Sequence, residues 1–216
     1  MAEGERLIVI VDYGMGNLRS VLNACEALGA EVQVAADPAA LAAARGLILP
    51  GVGAFGDGMA GLRARGLMEP LQRAVGEADK PLLGICLGMQ LLATRGSEHG
   101  CHEGLGLIDG TVDRLPAAGP DGNRLRLPHV GWNSVRFEHR EGLFAGLGEA
   151  EDFYFVHGYA LRPENESIVA GRCTYGAPFA AAIEAGNIWA AQFHPEKSQK
   201  AGLALLRNWL DRVAAW

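Results

Sequence analysis

The chain has 216 residues, 49% hydrophobic and 20% charged, which sets disorder aside and predicts one domain over residues 1–216 with a substantial core. Its 19 basic residues against 25 acidic ones give a net charge of −6, which argues against a nucleic-acid backbone or an anionic membrane as partner. No run nears the roughly 18 apolar residues of a membrane span, residues 1–6 show no signal-peptide pattern, and a cytoplasmic protein is expected.

Residues 7–11 are an unbroken aliphatic run, the pattern of a strand buried on both faces. Asn17 is placed to cap a helix that ends at Gly29, and the stripe Leu18, Val21, Leu22, Cys25 and Leu28 has helical spacing. Cys25 therefore reads as a small core filler. Residues 31–35 predict a second strand, 38–44 a helix, 46–49 a third strand closed by Pro50, and 59–65 and 67–78 two more helices. Pro81 opens a fourth strand over 82–85, which runs directly into Cys86 and a helix over 87–94. This βαβαβαβα order implies a parallel sheet covered on both faces.

From Gly104 the texture changes to short β-rich segments at 105–108, 111–115, 133–137, 152–156, 168–173, 179–184 and 188–193. They predict an antiparallel extension of the sheet. Residues 199–214 close the chain as a helix whose stripe of Leu203, Leu206, Trp209, Leu210 and Val213 packs back on it. The expected fold class is α/β, a mostly parallel central sheet flanked by helices with an antiparallel β extension. Glycine is in excess at 30 of 216, about twice the usual 7% or so, and calls for many turns or close backbone approaches.

Four cysteines, at 25, 86, 101 and 173, form no Cys-x-x-Cys pair, so neither a zinc cage nor a dithiol redox motif is indicated. Cys86 stands apart. In Gly84-Ile85-Cys86-Leu87-Gly88 a nucleophile sits between two glycines at a strand-to-helix turn, the form of a nucleophile elbow, where flanking side chains would collide. The helix N-terminus also favours a thiolate. A cysteine nucleophile needs a base and a group to orient it, and His194-Pro195-Glu196, just past a strand, supplies both. His-x-Glu alone also opens the zinc deaminase signature, but the Pro-Cys-x-x-Cys half is missing. Residues 50–56, Pro-Gly-Val-Gly-Ala-Phe-Gly, end another strand, and their free amides can join that of Leu87 in an oxyanion hole. Gly14-Met15-Gly16 lacks the third glycine of a dinucleotide fingerprint, since position 19 is arginine.

Six separated segments, 12–17, 49–53, 84–90, 128–133, 154–157 and 192–198, occur in the order found in the class I glutamine amidotransferases, and the chain resembles that family over nearly its whole length. The resemblance implies a flavodoxin-like α/β fold and hydrolysis of L-glutamine to glutamate and ammonia, with no metal and no organic cofactor. By the resemblance Cys86 attacks the side-chain amide, His194 moves protons and Glu196 orients His194. The amides of Val52 and Leu87 form the oxyanion hole, while Gly53 and Gln90 contact glutamine. Segments 12–17, 49–53, 128–133 and 154–157 point within the family to a heterodimer in which ammonia passes to a separate (β/α)8 cyclase subunit, with Asn17 and Lys197 near the interface. The Gly51–Val52 peptide is expected to turn before its amide meets the oxyanion, and Gly158 stands where relatives commonly carry Ser or Thr. A glutaminase for another synthase, a non-catalytic subunit and a cysteine peptidase or esterase are the rival readings. Trp132-Asn133 weighs against the first and the intact Cys86, His194 and Glu196 against the second, while the third would lack selectivity for free glutamine.

Overall fold

The computed structural model describes residues 7–216; the polar start over residues 1–6, expected to carry no signal peptide, lies outside them. The first half alternates strand and helix: β1 (Ile8–Val11), α1 (Leu18–Ala27), β2 (Val32–Ala35), α2 (Pro38–Ala43), β3 (Gly46–Gly51), α3 (Phe55–Ala64), α4 (Met68–Gln72), β4 (Leu82–Cys86) and α5 (Leu87–Leu91). Strands dominate the second half: β5 (Ala93–Gly96), β6 (His102–Glu103), β7 (Ile108–Arg114), β8 (His129–Phe137), β9 (Ala150–His157), β10 (Tyr159–Pro163), β11 (Val169–Tyr175), β12 (Ala177–Ala185) and β13 (Ile188–Ala191). Helix α6 (Gln199–Ala215) comes last. Among the described residues there is a nine-stranded sheet in the order β2-β1-β3-β4-β13-β12-β11-β8-β9 and a four-stranded sheet in the order β10-β7-β5-β6. Every pair from β2 to β13 is parallel, and every pair from β13 out to β9 is antiparallel. The protein is thus an α/β fold with an antiparallel extension, and β13 is the strand at which the two halves of the large sheet meet.

Continuous apolar strands arise because both faces of this sheet are covered. In β1, Ile8 and Ile10 join one core cluster with α1 and α6, whereas Val9 and Val11 join the other with α3 and α5. Each such side chain taken from water contributes about 1.5–3 kcal/mol. The helices are cut to length by local chemistry: the Asn17 side chain accepts from Ser20 N, and Asp37 accepts from Ala40 N with Pro38 at the first turn. Along α6, Leu206, Trp209, Leu210 and Val213 are buried and Leu203 is half-buried. Arg45 Nε donates to Val213 O at 2.9 Å, tying its end to the entry of β3.

Several boundaries differ from the sequence expectation: α3 starts at Phe55 rather than 59 and β8 at His129 rather than 133. β3 runs through Pro50 to Gly51, because β1 pairs with it only as far as Ile48 and does not need the missing N–H. The 67–78 helix is α4 continued by a π-helical turn at Arg73–Glu77. The 87–94 helix stops at Leu91, since the carbonyls of Leu91 and Leu92 accept from the amides of Leu105, Leu107 and Ile108. That same hydrogen bonding makes 105–107 a cap on the helix end rather than a strand. Of the small sheet only β7 answers a strand read from the sequence, that at 111–115; β5, β6 and β10, and the sheet as a separate unit, lie outside anything read there.

Candidate active site

Sheet order builds the site. β3 and β13 flank β4, with Gly51 opposite Cys86 and Ala191 opposite Ile85. The parallel strands therefore end together at one edge of the sheet, where Val52 and Gly53 leave β3 on one side of Cys86 and the chain leaving β13 brings His194 to the other. That edge is the place where an open parallel sheet builds its sites.

Cys86 itself has φ 54° and ψ −111°, a backbone conformation costing about 1–3 kcal/mol for a residue with a side chain. The glycines beside it are required. A Cβ at position 88 would stand 1.7 Å from Leu49 O, and one at 84 would stand 3.0 Å from the Met89 backbone. The elbow is thus held between β3 and α5. The thiol is 5% exposed and has two polar neighbours, Val156 O at 3.8 Å and the donating Nε2 of Gln192 at 3.7 Å. Gln192 is in turn fixed by Gln90, whose Nε2 donates to Gln192 Oε1 and to Tyr159 O, both at 2.9 Å.

His194 is buried, and its Nδ1 lies 2.9 Å from Glu196 Oε1. Its Nε2 makes no ordinary hydrogen bond, which leaves that nitrogen available to the thiol. Burial opposes a charged ring, yet Cys86 and Glu196 together hold the His194 pKa up, to about 9. The main chain is anchored too. His194 N donates to Tyr154 O at 2.9 Å, and Ser198 Oγ donates to His194 O at 2.6 Å while accepting from Tyr154 N at 3.0 Å.

A cavity opens beside the thiol, lined by Val52, Gly53, Cys86, Leu87 and Gln90 together with Glu98, Val156, His157, Gly158 and Tyr159. Each residue expected to hold glutamine or its oxyanion is there. Leu87 is the first residue of α5, so its amide has no partner within the helix. Glu98, a lone carboxylate in a polar loop, carried no signal in the sequence; its Oε2 accepts from Phe55 N at 2.9 Å and its other oxygen is free to meet a cation. His157 is fixed in one tautomer: Nδ1 donates to Tyr159 O at 2.8 Å, and Nε2 pairs with His129 Nδ1 at 3.1 Å. Burial drives its pKa down to about 4, so it faces the cavity neutral. Gly158 O accepts from Leu115 N at 2.9 Å.

The other cysteines lie elsewhere. Cys25 and Cys173 are buried, with burial pushing both thiols up to about 12, and Cys101 is exposed. Among the described residues no cluster of three or more His, Cys, Asp or Glu side chains is arranged for a metal, and no helix is long and apolar enough to cross a membrane. Asn17 and Lys197 are solvent-facing, and the helix that Asn17 caps packs against the Pro195–Lys197 turn. Lys197 Nζ sits 5.9 Å from the Tyr154 ring centre, and Tyr154 meets Trp132 edge-on at 6.1 Å.

Residues 9–213 match the family model described as glutamine amidotransferase class-I. Among similar curated proteins, the imidazole glycerol phosphate synthase subunit HisH of Moorella thermoacetica is 50% identical over 208 residues, 96% of each chain. The protein of the same description from Symbiobacterium thermophilum is 52% identical, over 94% of this chain and 92% of its own. In three dimensions a chain of the PurLQS structure from Thermotoga maritima aligns with a TM-score of 0.74 at 20% identity, covering 95% of this chain and 98% of that one, a likeness of fold.

Proposed function

The chain belongs to the class I glutamine amidotransferase family, and from that premise we propose that it is the glutaminase subunit of an imidazole glycerol phosphate synthase, acting in histidine biosynthesis. It hydrolyses L-glutamine and hands the ammonia to a cyclase partner in a heterodimer. There ammonia joins a ribulosyl nucleotide intermediate to give imidazole glycerol phosphate and an aminoimidazole carboxamide ribotide.

The chemistry comes from the residues at the sheet edge. With its pKa held up at about 9, His194 already carries the proton on Nε2 at neutral pH, so Cys86 Sγ attacks the amide carbon of glutamine as the thiolate of a thiolate–imidazolium pair, and the amides of Val52 and Leu87 hold the oxyanion. Collapse breaks the C–N bond, His194 gives its proton to the departing nitrogen, and ammonia leaves a Cys86 thioester. Water then attacks the thioester with His194 as base, giving glutamate and the free thiol. Glu196 keeps Nδ1 of His194 protonated and its Nε2 aimed. Gln90 and Gly53 line the amide side of the cavity, and Glu98 offers a carboxylate to the α-ammonium of the substrate. Ammonia must travel dry, because near neutral pH water protonates it and ammonium is no nucleophile. The surface around Asn17, Lys197 and Trp132 is the side we assign to the partner; Trp132 and Val130 are 48% and 56% exposed, unusual for large apolar side chains without a covering surface.

The reading is carried by one geometry, a cysteine at positive φ with a buried histidine–glutamate pair beside it. Its test is Cys86→Ala in the assembled synthase. Glutamine-dependent synthesis should vanish while synthesis from added ammonium salts persists; loss of both would make Cys86 structural and contradict the proposal.

A further inference from the structure

Tyr13 is fully buried, and its hydroxyl has no hydrogen-bond partner. Such an atom is costly, and where one persists a function is a reasonable place to look for the reason. Its position is unusual. The hydroxyl occupies the space a side chain at 51 would fill, 2.1 Å from where the Cβ of that residue would lie, and Gly51 is the ladder neighbour of Cys86. Its main chain is held close: Gly61 packs so tightly that an added Cβ would stand 2.5 Å from Tyr13 O, and Arg65 Nη1 donates to that carbonyl at 2.7 Å. Tyr13 does not line the cavity that Val52 and Leu87 line, yet its hydroxyl lies directly against Gly51, the residue before Val52.

The N–H and C=O of one peptide point in opposite directions. When Val52 N–H points into the cavity to hold an oxyanion, Gly51 C=O must point away from it, and the unpartnered hydroxyl against Gly51 is a donor in that buried space. We infer that Tyr13 is a positioning residue of the oxyanion hole, its hydroxyl donating to Gly51 C=O in the state in which Val52 N–H faces the substrate. The hydroxyl makes no hydrogen bond in this structure, so that bond belongs to another orientation of the peptide than the one seen. Burial first, and charge at Cys86 second, raise the Tyr13 pKa, so the group stays protonated and remains a donor. The inference rests on the glutaminase reading.

Tyr13→Phe removes the hydroxyl and keeps the ring. In the assembled synthase the variant should show glutaminase kcat reduced about tenfold, the value of one hydrogen bond made only in the transition state, with KM unchanged. Ammonium-dependent synthesis should be unaltered, and the thermal midpoint unchanged or higher, since a group without a partner in the resting protein is removed. An unchanged kcat, a rise in KM alone, or a lowered midpoint accompanying the lost activity would overturn the role. Wild-type synthase that released no glutamate would instead defeat the functional reading, so the two failures are distinct.

Discussion

At the residue scale the site depends on groups that never touch substrate. Ser198 joins His194 O to Tyr154 N through one hydroxyl, so Ser198→Ala removes the acceptor of the half-buried Tyr154 N, while His194 O keeps its bond from Lys197 N at 3.0 Å. The expected cost is about 1–3 kcal/mol in denaturant unfolding, together with a fall in kcat at constant KM as the imidazole loses its register. Unchanged kcat with the stability loss intact would limit Ser198 to structure. Cys86, His194 and Glu196 were legible because their signals are local: a glycine-flanked cysteine and a triplet two residues apart. Gln192 and Ser198 lay inside a recognised segment, yet their partners Cys86 and Tyr154 are distant in sequence, and nothing local announces such bonds. Glu98 had no signal at all.

At the element scale the elbow is a joint between β3, β4 and α5. Gly88→Ala would set a methyl 1.7 Å from Leu49 O, a backbone atom that cannot move without breaking the ladder beside Cys86. Destabilisation of more than about 4 kcal/mol is expected, read as a lost or much lowered thermal transition, whereas a midpoint within a few degrees of wild type would show that the joint is not tight. Periodicity found β1, β3, β4 and α1 because each buries a continuous run or a stripe, whereas β2, an edge strand with only Ala35 buried, was found from its β-branched residues. Periodicity overran α5 and missed β5 of the small sheet for one reason. Leu92 and Ala93 are apolar enough for a helix, but β7 and the 105–108 segment claim their hydrogen bonds, and that competition is settled across the fold rather than along the chain.

At the scale of the whole molecule, the buried histidines give stability a definite pH profile. His157 is lowered from 6.5 to about 4, so between those values the unfolded chain binds a proton that the folded one refuses. Stability therefore falls as pH drops through that window, by about 3 kcal/mol, and His129, also lowered by burial, acts in the same sense. His194 has the opposite sign: its pKa is raised to about 9, so its contribution is full below pH 6.5 and fades as pH rises through 9. Urea unfolding at pH 5 and pH 7 should show the acid loss, and His157→Gln should shrink it; an acid loss of the same size in that variant would place its cause elsewhere.

Labelling by a glutamine-like chloroketone tests the central claim, that Cys86 is the nucleophile of a glutamine site, most directly. With peptides read by mass spectrometry, the adduct should appear on Cys86 and be suppressed by excess glutamine, while Cys25 and Cys173 stay unmodified and any label on the exposed Cys101 is indifferent to glutamine. A glutamine-protected adduct on any other cysteine, with Cys86 untouched, would contradict the account.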